Sequence, residues 1–430
     1  MTSQLNEDLR EARRSSGLPW ARFAREAGYA PSHLLNVENG SRRLTPEIAA
    51  AYDRVLGTAF AAALQDAGTA AAGSTPWDTA GNLRVFAELA DGSSVDRRGF
   101  LTAGIALSAS AATWAASLRQ HAAPDEPAPE RGDPELLDQV DKRLDDLRHL
   151  DDEVGSGEVH RLARNELLYL VVQIKSGRYR GKAVDRLHSL AAEAARQAAW
   201  SAFDQGRHAL AQRFFDGSLR ASAQAGDPIS GAIALSFAAV QCYSTPGQAG
   251  RAVSLLEAAG TEVRDKATPL MHAMLAARRA RALSKTGTGA RKDCARQLAL
   301  ARTALGKGSR DDDPRSLYWV TEGEFEMIAG SCALQLGDPA EAVHRFEAAI
   351  KASYPGDEAY PRSHAIYLAR AAEAHLEMHD LDAAVANARH AALCLGSVDS
   401  ARSSSELKGL RGKLAAHTSN PAVRDFLQVG

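Results

Sequence analysis

Ser32, His33 and Asn36 stand together in the stretch PSHLLNVE. Three- and four-residue steps on a helix return to one side, so these three share a face. A hydroxyl, an imidazole and an amide each offer a donor or an acceptor, which is what reading base edges in a major groove requires. Asn39, Arg42 and Arg43 follow directly. An amide and two guanidiniums suit phosphate oxygens, and contacts of that kind fix the register on a duplex. The rest of the chain carries little chemistry of its own. It has no Walker loop, no GxSxG elbow and no HExxH pair, so no enzymatic activity and no cofactor is expected. His375 and His379 lie four apart, a spacing that can hold a metal, but no third ligand accompanies them. Asp311, Asp312 and Asp313 are expected in a solvated loop capping the Leu317 helix. Arg278, Arg279 and Arg281 are expected on a solvated helix face, with a concave face for an acidic ligand as the alternative. Tyr318, Trp319 and Phe325 are expected to be core or groove lining, and no ligand-binding residue can be singled out.

Two short helices must position the first group. Phe23, Ala24 and Ala27 form an apolar stripe on a helix over 19–27. Gly28 ends it, since glycine takes the left-handed C-cap backbone without steric cost. Tyr29 is expected to plug the turn. Pro31 suits the first turn of the next helix, on which Leu34 and Val37 face inward and Gly40 is the stop. Thr45, Pro46 and Glu47 then read as N-cap, N1 and first-turn acid of a further helix running over 48–64. Leu5 and Leu9 place a helix over 5–16 ahead of them.

The stretch Trp20–Arg43, WARFAREAGYAPSHLLNVENGSRR, with Glu38-Asn39-Gly40, Arg42 and the Thr45-Pro46-Glu47 cap, resembles the Cro/repressor (XRE family) class of helix-turn-helix regulators. The resemblance covers roughly residues 5–65 and implies a five-helix DNA-binding domain. Where that class commonly has a DNA-contacting Gln, this chain has Trp20, and Ala30 replaces the usual Ser or Thr cap, so neither role is carried over. Eight arginines and seven acids in residues 1–60 leave a charge of only +1. Binding must therefore rest on specific contacts or on two copies rather than on bulk attraction.

The whole chain has 430 residues and a net charge of −2, with 45% hydrophobic residues. That length fits two or three domains. Cys242, Cys294, Cys332 and Cys394 form no CxxC pair and read as buried apolar residues of a reducing, cytoplasmic protein. Residues 1–16 are polar and charged, unlike a signal peptide. The second half is a series of helix pairs. Turn markers at 206, 247, 289, 337 and 380 are spaced by 41, 42, 48 and 43 residues, the mark of a helical solenoid. The run Gly337-Asp338-Pro339-Ala-Glu-Ala resembles the turn and second helix of tetratricopeptide repeats, at a spacing above the ~34 residues of that family. Residues 131–179 are expected to be a degenerate hairpin and 401–427 a terminal cap.

Between the two halves, a helix over 83–89 and an uncharged helix at about 97–119 are expected, then a Pro-rich spacer at 122–134. Val95-Asp96-Arg97-Arg98-Gly99-Phe100-Leu101 resembles a twin-arginine export box. The apolar helix is nevertheless expected to dock on protein. It follows a complete domain, it is built of Ala, Ser, Gly and Thr, which insert poorly, and actinobacterial regulators that this chain resembles carry a similar Arg-Arg-x-Phe-Leu box there.

The expected protein is thus all-α, with a DNA-binding domain over 1–66, a linker over 67–133 and a tetratricopeptide-like domain over 134–430. Its expected function is sequence-specific transcription regulation. A homodimer on a palindromic double-stranded operator would place two such domains ~34 Å apart. The repeat domain would dimerise or sense a peptide, small-molecule or protein effector, as the resemblance to peptide-sensing regulators implies. The alternatives are a protein-binding adaptor and a membrane-tethered sensor anchored by 97–118.

Overall fold

The computed structural model describes residues 9–14, 16–39, 42, 44–58, 60, 75–91, 99–121, 131–352, 360–396, 398 and 400–428. Among them no strand occurs. The lone bridge joins Arg131 and Arg180. The chain divides into two compact units, one formed by 1–76 with 101–109, the other by 77–100 with 110–430.

In the first unit, α1 (residues 9–14), α2 (Trp20–Ala27), α3 (Pro31–Glu38) and α4 (Pro46–Leu56) surround one core. Leu9, Phe23, Ala24, Ala27, Leu34, Val37, Ile48 and Tyr52 fill it. The ring of Phe23 meets Tyr52 edge-on, centroids 4.8 Å apart. Gly28 caps α2 at φ 80°, and Thr45 Oγ1 accepts from the Ile48 amide at 3.3 Å. α4 is shorter than its alanine-rich sequence predicts. It stops at Leu56, because Gly57 takes the left-handed conformation (φ 67°), and Asp53 then turns back to accept from the Phe60 amide. Residues 61–64, the rest of that expected helix, lie outside the described residues, as do Leu5 and the Arg97-Arg98 pair.

The second unit is a stack of helices that closes on itself. It begins with α5 (Thr79–Asp91), the second half of α6 (Gly99–His121), α7 (Pro134–Val154) and α8 (Ser156–Lys175). Five hairpins follow: α9 (Lys182–Asp204) with α10 (His208–Gln224), α11 (Pro228–Ser244) with α12 (Ala249–Glu262), α13 (Pro269–Ser284) with α14 (Arg291–Leu305), α15 (Glu322–Gln335) with α16 (Pro339–Lys351), and α17 (Pro361–Glu377) with α18 (Leu381–Leu395). α19 (Ala401–Leu414) and α20 (Pro421–Gln428) end the chain. Every turn marker read from the sequence falls between the two helices of one hairpin. The expected hairpin at 131–179 is different. α8 packs mainly along α9, and α7 lies beside the end of the stack, because Gly155 (φ 87°, ψ −174°) breaks the chain direction between them. His379 also departs from expectation. It lies beyond the end of α17, at φ 62°, and so shares no helical face with His375.

Small residues let the layers approach closely. α6 shows this best. Trp114 is fully buried, and its Nε1 donates to Ser222 Oγ at 2.9 Å. It sits on Gly231 of α11, where an added Cβ would lie 2.4 Å from the indole. Arg119 pairs with Glu262 nearby. The apolar helix is therefore docked on protein over its second half, and among the described residues no helix is long and apolar enough to cross a membrane.

Two predictions follow from this packing. Gly231→Ala should destabilise the second unit by about 1–3 kcal/mol through overpacking, read as a lower melting temperature with altered tryptophan fluorescence. His160 is buried, with Nδ1 donating to Ala198 O at 2.9 Å, and burial lowers its pKa to about 4. The unfolded imidazole takes a proton near 6.5, so the unfolded state binds more protons between these values. Stability should be full above pH ~6.5 and fall by up to roughly 3 kcal/mol on acidification toward pH 4. Denaturant titrations of wild type and His160→Gln should show this slope in the wild type and a flatter one in the variant.

Candidate functional site

α3 is held by a buried carboxylate. Glu38, 1% exposed, accepts a bidentate pair from Arg13 at 2.6 and 2.8 Å, and Tyr52 Oη donates to Oε1 at 2.8 Å. Burial and Glu38 together push the Tyr52 phenol far up, so it stays a donor. Arg10 donates to Glu38 O at 2.7 Å and to Asn39 Oδ1 at 2.6 Å. The C-terminal end of α3 is thereby tied to α1 and α4. Arg13 also covers the Trp20 ring, 4.1 Å from its centroid, which explains a tryptophan at the start of α2: it is a platform for the clamp.

The opposite face of α3 is open. Ser32, Leu35 and Asn36 are exposed and His33 is half-exposed. His33 meets Tyr29 edge-on at 5.4 Å, and Arg42 Nη1 donates to its Nδ1 at 3.1 Å. A guanidinium only donates, so the His33 proton sits on Nε2 and that donor remains available. The Arg42 amide is anchored on Asn36 O at 2.8 Å. Five of the six residues predicted from the sequence thus lie on or beside one exposed edge: Ser32, His33, Asn36, Asn39 and Arg42. Arg43 lies outside the described residues. Leu35, 46% exposed between two of them, was not foreseen. Its apolar side chain is the type that meets a thymine methyl group.

The second unit holds a partly open cavity of about 150 Å³ between the helices of its stack. Most charges on its wall are matched. Arg148 and Arg196 bind Glu193, Arg402 binds Asp204, and Arg362 binds Asp151 and approaches Asp152 and Asp204. Burial raises Asp152 to about 6 despite Arg362 and the Tyr318 hydroxyl beside it. Arg278 is placed differently. Only 6% exposed, it lies between the rings of Phe237 and Trp319, at 4.2 and 4.6 Å, and donates to Ser236 Oγ at 2.7 Å. Burial lowers its pKa to about 10. Glu324 accepts from Tyr367 Oη at 2.5 Å, and burial raises it to about 7.

These positions correct the expectation of a solvated face for the arginines of α13. Arg278 and Arg281 are both buried, Arg281 donating to Ser331 O at 2.9 Å, while Arg279 pairs with Glu257. α13 runs between neighbouring helices, and its alanines leave room for guanidinium stems on an inner face. Tyr318 and Trp319 line the cavity and Phe325 is buried. All four cysteines are buried thiols. Asp312 and Asp313 are tied to Arg310 in their loop. Among the described residues, one trio could hold a metal: His364, His390 and Cys394, with ligand atoms within 4.8 Å of one another.

A helix-turn-helix family model, HTH_3, matches residues 9–61. This segment is a helix-turn-helix domain of the XRE type. The match spans α1 to α4, with the clamped α3 as the second helix of the motif. No curated protein and no solved structure matches the chain.

Glu38→Ala would leave Arg13 and Tyr52 without their partner in the core, at a cost of about 3–5 kcal/mol. Most of the stability of so small a domain would go with it. Hydrogen exchange on the full chain should show protection lost over residues 20–56 and retained over 182–395. Glu38→Gln, which keeps an acceptor for Tyr52, should lose less.

Proposed function

We propose that the chain is a sequence-specific, DNA-binding transcription regulator of the cytoplasm, with its DNA-binding domain over 1–66 and a tetratricopeptide-like domain over 134–430 that binds an effector, dimerises, or does both. The observation that carries this reading is the α3 edge. Its inner side is locked by Glu38, and its outer side offers a hydroxyl, an imidazole Nε2–H, an amide and an aliphatic tip at groove-reading positions. Ser32, His33 and Asn36 would meet base edges. Asn39, Arg42 and Arg43 would hold phosphates, with Arg10 fixing the Asn39 amide from behind. A domain with so little net positive charge contributes few nonspecific contacts, which favours two copies on a palindromic operator. The interior cavity, partly open and lined by aromatic rings with polar and charged groups between them, has the character of an effector site.

Selection of bound sequences from random duplex DNA tests the reading. Arg42→Ala should weaken binding to every sequence and reduce the salt slope by about one. Asn36→Ala should instead relax preference at one base position of each half-site, by about 1–3 kcal/mol. Gel-shift titrations in which both variants behave as wild type would refute the assignment.

A further inference from the structure

The cavity wall carries two charges that the fold itself leaves unmatched. Among the described residues, Arg278 has no carboxylate at ion-pair distance, although every other guanidinium on the wall has one. Glu324 has a phenol as its partner and no cation at ion-pair distance. Both side chains line the same space, and no ion pair joins them. Leaving a cation and an anion in a low-dielectric interior is costly, and each is neutralised most cheaply by an opposite charge. Water alone satisfies hydrogen bonds but not this charge pattern. Apart from the ion-paired groups already named, the wall carries apolar and aromatic side chains, among them Trp200, Tyr243 and Ile328.

We propose that this cavity binds a free α-amino acid with an aromatic or large apolar side chain. Its carboxylate would lie on Arg278, its ammonium on Glu324, and its side chain among the rings. Four observations converge on that class. The guanidinium is pre-oriented by its two flanking rings and by Ser236, which suits a planar carboxylate. The carboxylate of Glu324 is steadied on one oxygen by Tyr367. A guanidinium and a carboxyl group on one wall, not paired with each other, match a zwitterion, whereas a simple anion or a simple cation would engage only one of them. The volume, about 150 Å³ in a partly open cavity, accommodates one ring-sized side chain. Burial raises the Glu324 pKa and lowers that of Arg278, and each group offsets part of the other's shift across the cavity. The inference rests on reading the cavity as an effector site, and it concerns only residues of the second unit.

The test uses the purified full chain and the twenty free amino acids, one at a time, in calorimetric titration and thermal shift. At least one aromatic or large apolar amino acid should bind and raise the melting temperature. Its N-acetyl derivative, lacking the ammonium, and its carboxamide, lacking the carboxylate, should each bind about tenfold more weakly or worse. Glu324→Gln, a near-isosteric change whose fold is checked by circular dichroism, should bind the free amino acid at least about tenfold more weakly and lose the discrimination against the N-acetyl form. Arg278→Met should do the same for the carboxamide. Absence of binding by all twenty, or binding of the blocked derivatives as tight as that of the parent, overturns the proposal, and the derivatives decide it on wild-type protein even where a variant fails to fold. Gel shifts on the same preparations separate the two readings: amino-acid binding without DNA binding upholds this inference and defeats the regulator, and DNA binding without amino-acid binding does the reverse.

Discussion

One buried guanidinium joins the beginning of the helical stack to its end. Arg362, on α17, reaches Asp151 at 2.7 Å, Asp204 at 3.7 Å and Ser156 Oγ at 3.1 Å, on α7, α9 and α8 respectively. Asp204, itself fully buried, is met again from the chain end by Ser400 and Arg402. Tyr318 and Arg315 reach Asp152 and Asp141 from the middle. Such a network is stable only when complete, because removing one partner leaves the others charged in a dry interior. Its consequence is geometric. The stack cannot remain an open superhelix, and the space it curls around becomes a partly open chamber.

The helix-turn-helix unit uses the same device on a smaller scale. Glu38 is the single carboxylate on which Arg13 and Tyr52 converge, and Arg10 secures the backbone at the same point. An eight-residue helix such as α3 has too few internal hydrogen bonds to be stable alone. Its direction is set by what grips its end, and a grip through charge leaves the outer side free of structural duty. That is why polar residues on α3 can be chosen for what they meet outside the protein. In both units, buried ion pairs specify position where apolar packing among small alanines specifies little.

How much of this was legible in the sequence depends on the range of the interaction. The turn of the DNA-binding motif was readable because Gly28, Pro31 and Thr45 act on their own backbone within a few residues. The hairpin turns were readable for the same reason: Gly337-Asp338-Pro339 carries a left-handed glycine, an N-cap and an N1 proline in three consecutive positions. Gly57 should have warned that the helix from Pro46 ends early, but the alanine run beyond it masked the signal. The outward set on α3 followed from periodicity, whereas the exposed Leu35 did not, since an apolar residue beside Leu34 reads as core. The chamber was invisible. Its wall is assembled from helices far apart in the chain, with 206 residues between Arg362 and Ser156 alone. The arginines of α13 look like surface charge until Phe237 and Trp319 are known to flank one of them.

Stacks of helix pairs ordinarily vary in length by duplication or loss of a unit, since each pair touches only its neighbours. Here that freedom is gone. Adding or deleting one hairpin between α9 and α17 would rotate Arg362 away from Asp151 and Asp204 and strand all three charges. Relatives that keep this chamber must therefore keep its number of hairpins, and their length differences should collect in the stretches outside the circle.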